Sequence, residues 1–244
     1  MNEEESLWFK KYGFFSNPFS IKPAPFDFKI IGQDKILEEL YYKIPNGNMA
    51  FIEGRFGNGK TTILKHLINK FRGDKKIIYF ACNRIDKELD IEKLLIGKYG
   101  FWGRLFKLHP KDMFVLLDEA QDLTPENTQR IKYFFDQGNI KSVVFTGISY
   151  YDCNLHDSIK DRIGREGVLK LRELNDDEGL LLIRNRIGET NLMSDEVIKK
   201  LWKQSNKNPR RLLQYCDMVC RKTVESDEKE VTDKIVRDVL KTEK

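Results

Sequence analysis

Gly54-Arg55-Phe56-Gly57-Asn58-Gly59-Lys60-Thr61 is the stretch on which the reading of the fold turns. It fits G-x-x-x-x-G-K-[ST] without a mismatch. The apolar run Met49 to Glu53 before it reads as a short strand, and Thr61 to Phe71 after it has helical spacing that ends at Gly73. Glycines let the main chain curl until successive N–H groups face one anion, and the start of the following helix adds its positive end. Lys60 brings a full charge to the outer phosphates of a nucleotide, and the Thr61 hydroxyl is placed to ligate Mg²⁺. Gly54, Gly57, Asn58, Gly59, Lys60, Thr61 and Thr62 are therefore the expected cradle of a nucleoside triphosphate.

Working outward, the pattern alternates. Asp34 to Ile44 reads as a helix, and Ile77 to Cys82 and Met113 to Leu117 as continuous apolar strands. Thr124-Pro125-Glu126 supplies an N-cap, a proline at the first helical position and an acid in the first turn. That helix runs to about Gln137, with Gly138 as its stop. Ser142 to Thr146 and Val168 to Leu171 are the fourth and fifth strands. Strands apolar on both faces that alternate with helices imply a parallel sheet covered on both sides, a three-layer α/β domain. No strand signal follows Arg172. Asn175-Asp176-Asp177-Glu178 is a capping box, and further helices are expected over 194–205, 209–224 and 230–242.

This divides the chain into three expected parts: an arm over 1–29, an α/β core over 30–172 and an all-α domain over 173–244. The arm holds Asn17-Pro18-Phe19, Pro23 and Pro25 among six phenylalanines (Phe9, Phe14, Phe15, Phe19, Phe26, Phe28). Prolines this dense prevent a regular helix, yet the aromatics need burial, so the arm is expected to pack on the core.

Composition excludes several classes. With 40% apolar and 33% charged residues in 244, and only seven prolines, the chain is globular and not disordered. Its longest apolar run, Ile77 to Cys82, is far short of the ~20 residues of a membrane span. The acidic start Met1-Asn2-Glu3-Glu4-Glu5 lacks the apolar core of a secretion signal. A cytoplasmic location with Cys82, Cys153, Cys216 and Cys220 as free thiols is expected. Residues 173–244 carry as many basic as acidic side chains, so the whole net charge of +5 lies in 1–172. That charge permits a nucleic-acid partner without announcing one.

Phe114-Val115-Leu116-Leu117-Asp118-Glu119 is the second half of the expected site. A buried strand that ends in Asp-Glu sets the first carboxylate at the sheet's C-terminal edge, beside the phosphate loop. Asp118 is assigned to Mg²⁺ with Thr61, and Glu119 to the attacking water. Both acids are present, so hydrolysis is expected in addition to binding.

On these motifs the chain resembles the AAA+ ATPases. It is most similar to the branch with archaeal origin-recognition initiators, ExeA-like ATPases and TniB-like transposition ATPases. The branch features are the Asn-Pro-Phe arm, Ile31-Gly32-Gln33, Asp118-Glu119-Ala120-Gln121 and Asn208-Pro209-Arg210-Arg211. The resemblance implies strand order 5-1-4-3-2, a helical lid, ATP as the nucleotide and an adenine pocket at Ile30 and Ile31. The guanine-specificity pattern N-K-x-D is absent, which agrees. The resemblance also implies a polar sensor after the fourth strand, where Ser149 matches best and Thr146 second. An arginine finger that serves a neighbouring subunit is implied in Asp157–Arg165, with Arg162 favoured and Arg165 the alternative. A second sensor is implied at Arg210. There the sequence has its own argument: Asn208 caps a helix, Pro209 opens it, and an arginine in the first turn opposes the macrodipole unless an anion compensates.

Two stretches bear on DNA. Gly97 to Lys107 mixes Lys98, Arg104 and Lys107 with Tyr99, Phe101, Trp102 and Phe106, and has no acid. Cations there can meet phosphates while the rings stack or wedge, or else the rings belong to the core. Lys199 to Arg211 carries six basic residues and no acid, either as an exposed helix face or as a phosphate track. The sequence-level expectation is an ATP-hydrolysing enzyme that forms homo-oligomers and acts on double-stranded DNA in replication, recombination or transposition. The alternative is an ExeA-like ATPase directed at a protein client.

Overall fold

The computed structural model describes residues 8–21, 29–71, 76–83, 89–98, 100, 105 and 109–242. The chain separates into two compact units. One comprises Gln33–Phe56 and Lys60–Arg172; the other comprises Met1–Gly32, Gly57–Gly59 and Glu173–Lys244.

The first unit is built on five parallel strands: β1 (Met49–Glu53), β2 (Ile77–Ala81), β3 (Met113–Asp118), β4 (Ile140–Gly147) and β5 (Val168–Lys170). Their spatial order is β2-β3-β4-β1-β5, which is the expected 5-1-4-3-2 read from the other edge. Register sets Ala81 opposite Asp118, Leu117 opposite Phe145 and Glu53 opposite Gly147. The strand ends that carry the motifs therefore share one edge. All six residues of β3 are buried, as expected of a strand covered on both faces.

Flanking this sheet are α2 (Asp34–Lys43), α3 (Lys60–Lys70), α4 (Ile91–Gly97), a 3₁₀ turn (Ala120–Asp122), α5 (Pro125–Asp136) and α6 (Asp157–Ile163). Leu64 and Leu67 of α3 and Ile131 of α5 are fully buried. The Thr124 cap is a reciprocal box with Asn127 in place of the usual Glu or Gln.

The second unit holds the short α1 (Trp8–Lys11) with α7 (Asp176–Ile187), α8 (Asp195–Gln204), α9 (Pro209–Glu225) and α10 (Asp233–Thr242). Asn175 and Glu178 form the expected capping box. Its core includes Ile183, Ile198, Trp202, Leu212, Cys216, Val219 and Val236. All four cysteines are free thiols.

The described residues of the arm, 8–21, pack into this helical unit. Trp8 and Phe19 are each 1% exposed and stack at 5.7 Å. Asp217 of α9 accepts from Trp8 Nε1 at 2.8 Å and from Asn17 Nδ2 at 2.7 Å, and Arg186 donates to the Pro18 carbonyl at 2.7 Å. The physical reason is a deficit of apolar cover: four helices with wide apolar faces leave space between them, and the arm's rings fill it. The boundary also falls between Gly32 and Gln33, so Ile30 and Ile31 lie with the helical unit and not with the α/β core.

Candidate active site

The phosphate loop leaves β1 at Glu53 and enters α3 at Lys60. Gly54 is required by close approach, since a Cβ there would stand 3.1 Å from the Leu171 side chain. Gly57 and Gly59 have φ of +85° and +95°, the left-handed region in which a Cβ is strained. Gly57 is further constrained, because a Cβ would lie 2.6 Å from Asn208 Oδ1 and 2.9 Å from Arg210 Cβ.

Lys60 is 4% exposed, and its Nζ donates to the carbonyls of Gly54 at 2.9 Å and Arg55 at 3.4 Å. Burial pulls its ammonium below the ordinary lysine value, and the carboxylates of Glu119 and Asp118 counter that only in part. The buried cation thus sits on its own loop, held in reach of any anion the loop accepts.

Asp118 is the hub. It is 3% exposed and accepts three hydroxyls: Thr61 at 2.7 Å, Tyr79 at 3.1 Å and Thr146 at 2.5 Å. A carboxylate has lone pairs for such a set. The helix start at Thr61 also favours a negative neighbour, and α3 has no acid of its own in the first turn.

Glu119 follows with φ 57° and ψ 55°. A non-glycine residue in this region costs about 1 kcal/mol or more and persists where its surroundings over-determine it. Two bonds do so. Its N–H donates to Thr146 Oγ1 at 3.2 Å, and Gln121 Nε2 donates to its carboxylate at 2.7 Å. The left-handed turn ends β3 and swings the second carboxylate away from the strand direction.

Thr61 and Asp118 fit a Mg²⁺ ion. They offer a hydroxyl and a carboxylate in contact, the hard oxygen donors that this cation accepts while keeping waters and phosphate oxygens as its remaining ligands. Among the described residues no group of three or more His, Cys, Asp or Glu side chains could hold a metal by itself.

Of the two sensor candidates, the structure brings Thr146 to Asp118. Ser149 lies beyond the strand, half-buried. Arg162 and Arg165 are both exposed, and Arg162 is bonded to Asp136 at 2.7 Å and lies over the Phe135 ring. Arg210 occupies the first turn of α9 behind the Asn208 cap, which accepts from the Arg211 N–H at 3.1 Å. Asn58 is half-buried and Thr62 exposed; Ile31 is 7% exposed and Ile30 half-buried. In the second basic stretch Lys200 pairs with Asp233 and Lys207 with Asp176, while Lys199 and Lys203 are exposed. Tyr99, Phe101, Trp102, Arg104, Phe106 and Lys107 lie outside the described residues.

Sequence reading missed Tyr79, Gln121 and Glu53. A hydroxyl inside an otherwise apolar strand was the signal for Tyr79. Glu53 links the loop after β4 to β5: it accepts from the Tyr150 N–H at 3.0 Å and pairs with Lys170 at 3.0 Å. Burial works against its ionisation, but those two partners outweigh it and hold its carboxyl below the ordinary value.

Residues 46–179 match the family model described as the AAA domain. The chain belongs to the AAA domain family. This AAA domain is similar in fold to three solved structures. It is 16% identical to Cdc6p from Pyrobaculum aerophilum, with 91% of this chain and 69% of that one covered and a TM-score of 0.68. The Orc1 protein of Aeropyrum pernix, solved in complex with DNA, is 15% identical, with coverage of 94% and 69% and a TM-score of 0.73. The Thermotoga maritima RuvB Holliday junction branch migration motor is 16% identical, with coverage of 87% and 70% and a TM-score of 0.64. No curated protein matches. Among the described residues, no helix of this AAA domain is long and apolar enough to cross a membrane.

Proposed function

We propose that this AAA domain binds and hydrolyses ATP with Mg²⁺, self-associates when ATP is bound and acts on double-stranded DNA. The observation that carries the ATPase reading is the hub at Asp118: one buried carboxylate ties the phosphate-loop threonine to β4, one residue from a glutamate held in a left-handed turn.

The chain's own residues divide the work. Loop N–H groups and Lys60 bind the phosphates and carry their charge. Thr61 and Asp118 would hold Mg²⁺, which when bound neutralises phosphate charge and polarises the γ-phosphoryl group. Glu119 accepts a hydrogen bond from the attacking water and orients it toward phosphorus. Thr146 holds Asp118 and the Glu119 backbone together, a polar link of the sort a sensor makes. Asn208 and Arg210 are assigned to the γ-phosphate side of the site, with Ile30 and Ile31 assigned to the adenine. The arm over 1–29, core over 30–172 and lid over 173–244 are kept as functional divisions, with the arm assigned to the lid.

Self-association rests on an arginine that reaches the next subunit. Arg165 is favoured over Arg162, because Arg162 is already committed to Asp136 and Phe135. Arg165→Ala is expected to lower turnover strongly at fixed ATP, while Arg162→Ala lowers it less; the reverse order reassigns the finger. The DNA reading is supported by the solved fold relatives, an Orc1 bound to DNA and a branch migration motor, and by the exposed Lys199 and Lys203. ATPase rate is to be measured with duplex DNA, single-stranded DNA and none. Duplex stimulation that falls steeply with salt supports the reading. Equal turnover in all three arms removes the DNA role and leaves a protein client as the reading.

A further inference from the structure

We propose that Gln121 is a positioning residue for hydrolysis: its amide clamps the Glu119 carboxylate in the orientation that turnover requires. The proposal rests on the ATPase reading of this same site.

The orientation of the amide follows from chemistry. A carboxylate only accepts, so the Gln121 nitrogen must face it, and the 2.7 Å bond from Nε2 to Glu119 Oε2 is charge-assisted. Turning the amide over would set oxygen against oxygen. The carbonyl Oε1 is thereby directed the other way, where it is buried and has no partner. An unpaired buried acceptor costs about 1–3 kcal/mol, so a side chain without such a cost would be favoured if the position were structural only. Glutamine at 121 gives up stability to keep a donor on Glu119.

Gly147 stands beside the same amide. Its backbone is not in the left-handed region, so no φ requirement explains the glycine. A Cβ there would stand 2.7 Å from Phe51 Cζ, 3.2 Å from Gln121 Oε1 and 3.3 Å from Cys153 Sγ. The closest of these is the Phe51 ring, which keeps the end of β4 bare, and the Gln121 amide packs against the same point. The charged and titratable groups that act on Glu119 or lie around it are Lys60, Asp118, Asp122, Cys82 and Cys153. Among these, Lys60 is the cation, and it is already bonded to its own loop. The Gln121 amide is thus the neutral donor that fixes the carboxylate without cancelling its charge.

Gln121→Met keeps length and shape and removes both donor and acceptor. With the full chain, kcat is expected to fall about tenfold to a hundredfold, while KM and the affinity for a fluorescent ATP analogue stay at wild-type values. In the Glu119→Gln background the same substitution is expected to change kcat no further, since the group it positions is gone. A readout without turnover comes from melting the nucleotide-free protein: the Tm changes of Gln121→Met and Glu119→Gln should fail to add in the double variant. Wild-type kcat in Gln121→Met overturns the proposal and leaves the ATPase reading intact, as does a further full-size loss in the double variant. Additive Tm changes overturn it too. Absence of ATP turnover in the wild type overturns the ATPase reading, and this proposal with it.

Discussion

The two units use their inward-facing polar groups in opposite ways. In the α/β unit, Lys60, Asp118 and Thr146 are sealed from solvent and gathered at one sheet edge. In the helical unit, Asp217 and Arg186 join Trp8, Asn17 and Pro18 to the helices. The first set keeps lone pairs and a cation in reserve for a ligand. The second spends its hydrogen bonds on architecture, and so lets a proline-rich arm complete a helical core. Burial of a polar side chain therefore marks chemistry only where the groups converge on strand ends and loops.

That contrast can be broken at several points. The largest expected effect is Lys60→Ala, which should remove nucleotide binding altogether in a fluorescence titration while leaving the far-ultraviolet circular dichroism unchanged. A variant that binds like the wild type would make Lys60 an architectural lysine. Next, Glu119→Gln should keep binding and lower kcat by about a hundredfold to ten-thousandfold; turnover at the wild-type rate would strip that carboxylate of its role.

On the architectural side, Trp8→Ala should cost about 3–5 kcal/mol, read by urea unfolding. Hydrogen exchange should then accelerate over 197–202 and 212–220 and stay slow in β3. Equal acceleration in β3 would show that the two cores are not separately stabilised. Asp217→Ala should cost somewhat less, at about 1.5–3 kcal/mol in all, because the hydrogen bonds it accepts are only part-buried. It removes the acceptor of Trp8, Asn17 and Arg221.

The smallest effect sharpens the comparison by pH. Burial pushes the thiols of Cys82 and Cys153 up to about 12 and about 11, and it raises those of Cys216 and Cys220 well above their ordinary range. A folded-state value above the unfolded one favours the protonated thiol. The stabilisation is therefore complete below about pH 8.5, the ordinary thiol value, and is lost as pH rises beyond it. Tm should fall between pH 8.5 and 11, and less so in Cys216→Ala/Cys220→Ala. A flat profile would show that these thiols are not sealed.

Much of the site was legible because its parts are contiguous. The loop's glycines and Lys60-Thr61 carry their own geometry, and Asp118-Glu119 close an apolar run. Less was legible where distant segments meet. Ser149 and Thr146 are three residues apart, and only the pairing of β3 with β4 decided that Thr146 reaches Asp118. The resemblance favoured Arg162 over Arg165, and nothing in the sequence announced that Asp136 pairs with Arg162. Of the arm's phenylalanines Phe19 is buried while Phe15 is fully exposed, a difference that composition alone did not announce.

Periodicity and loop chemistry, which act within a dozen residues, determined from the sequence alone that this chain would form a covered parallel sheet with a phosphate loop and a helical end. Tertiary structure decided which of Thr146 and Ser149 meets Asp118, which arginine pairs with Asp136 and which helices the arm packs against. Those choices depend on what stands across a strand or a core, and no local pattern encodes a neighbour brought from beyond its own window.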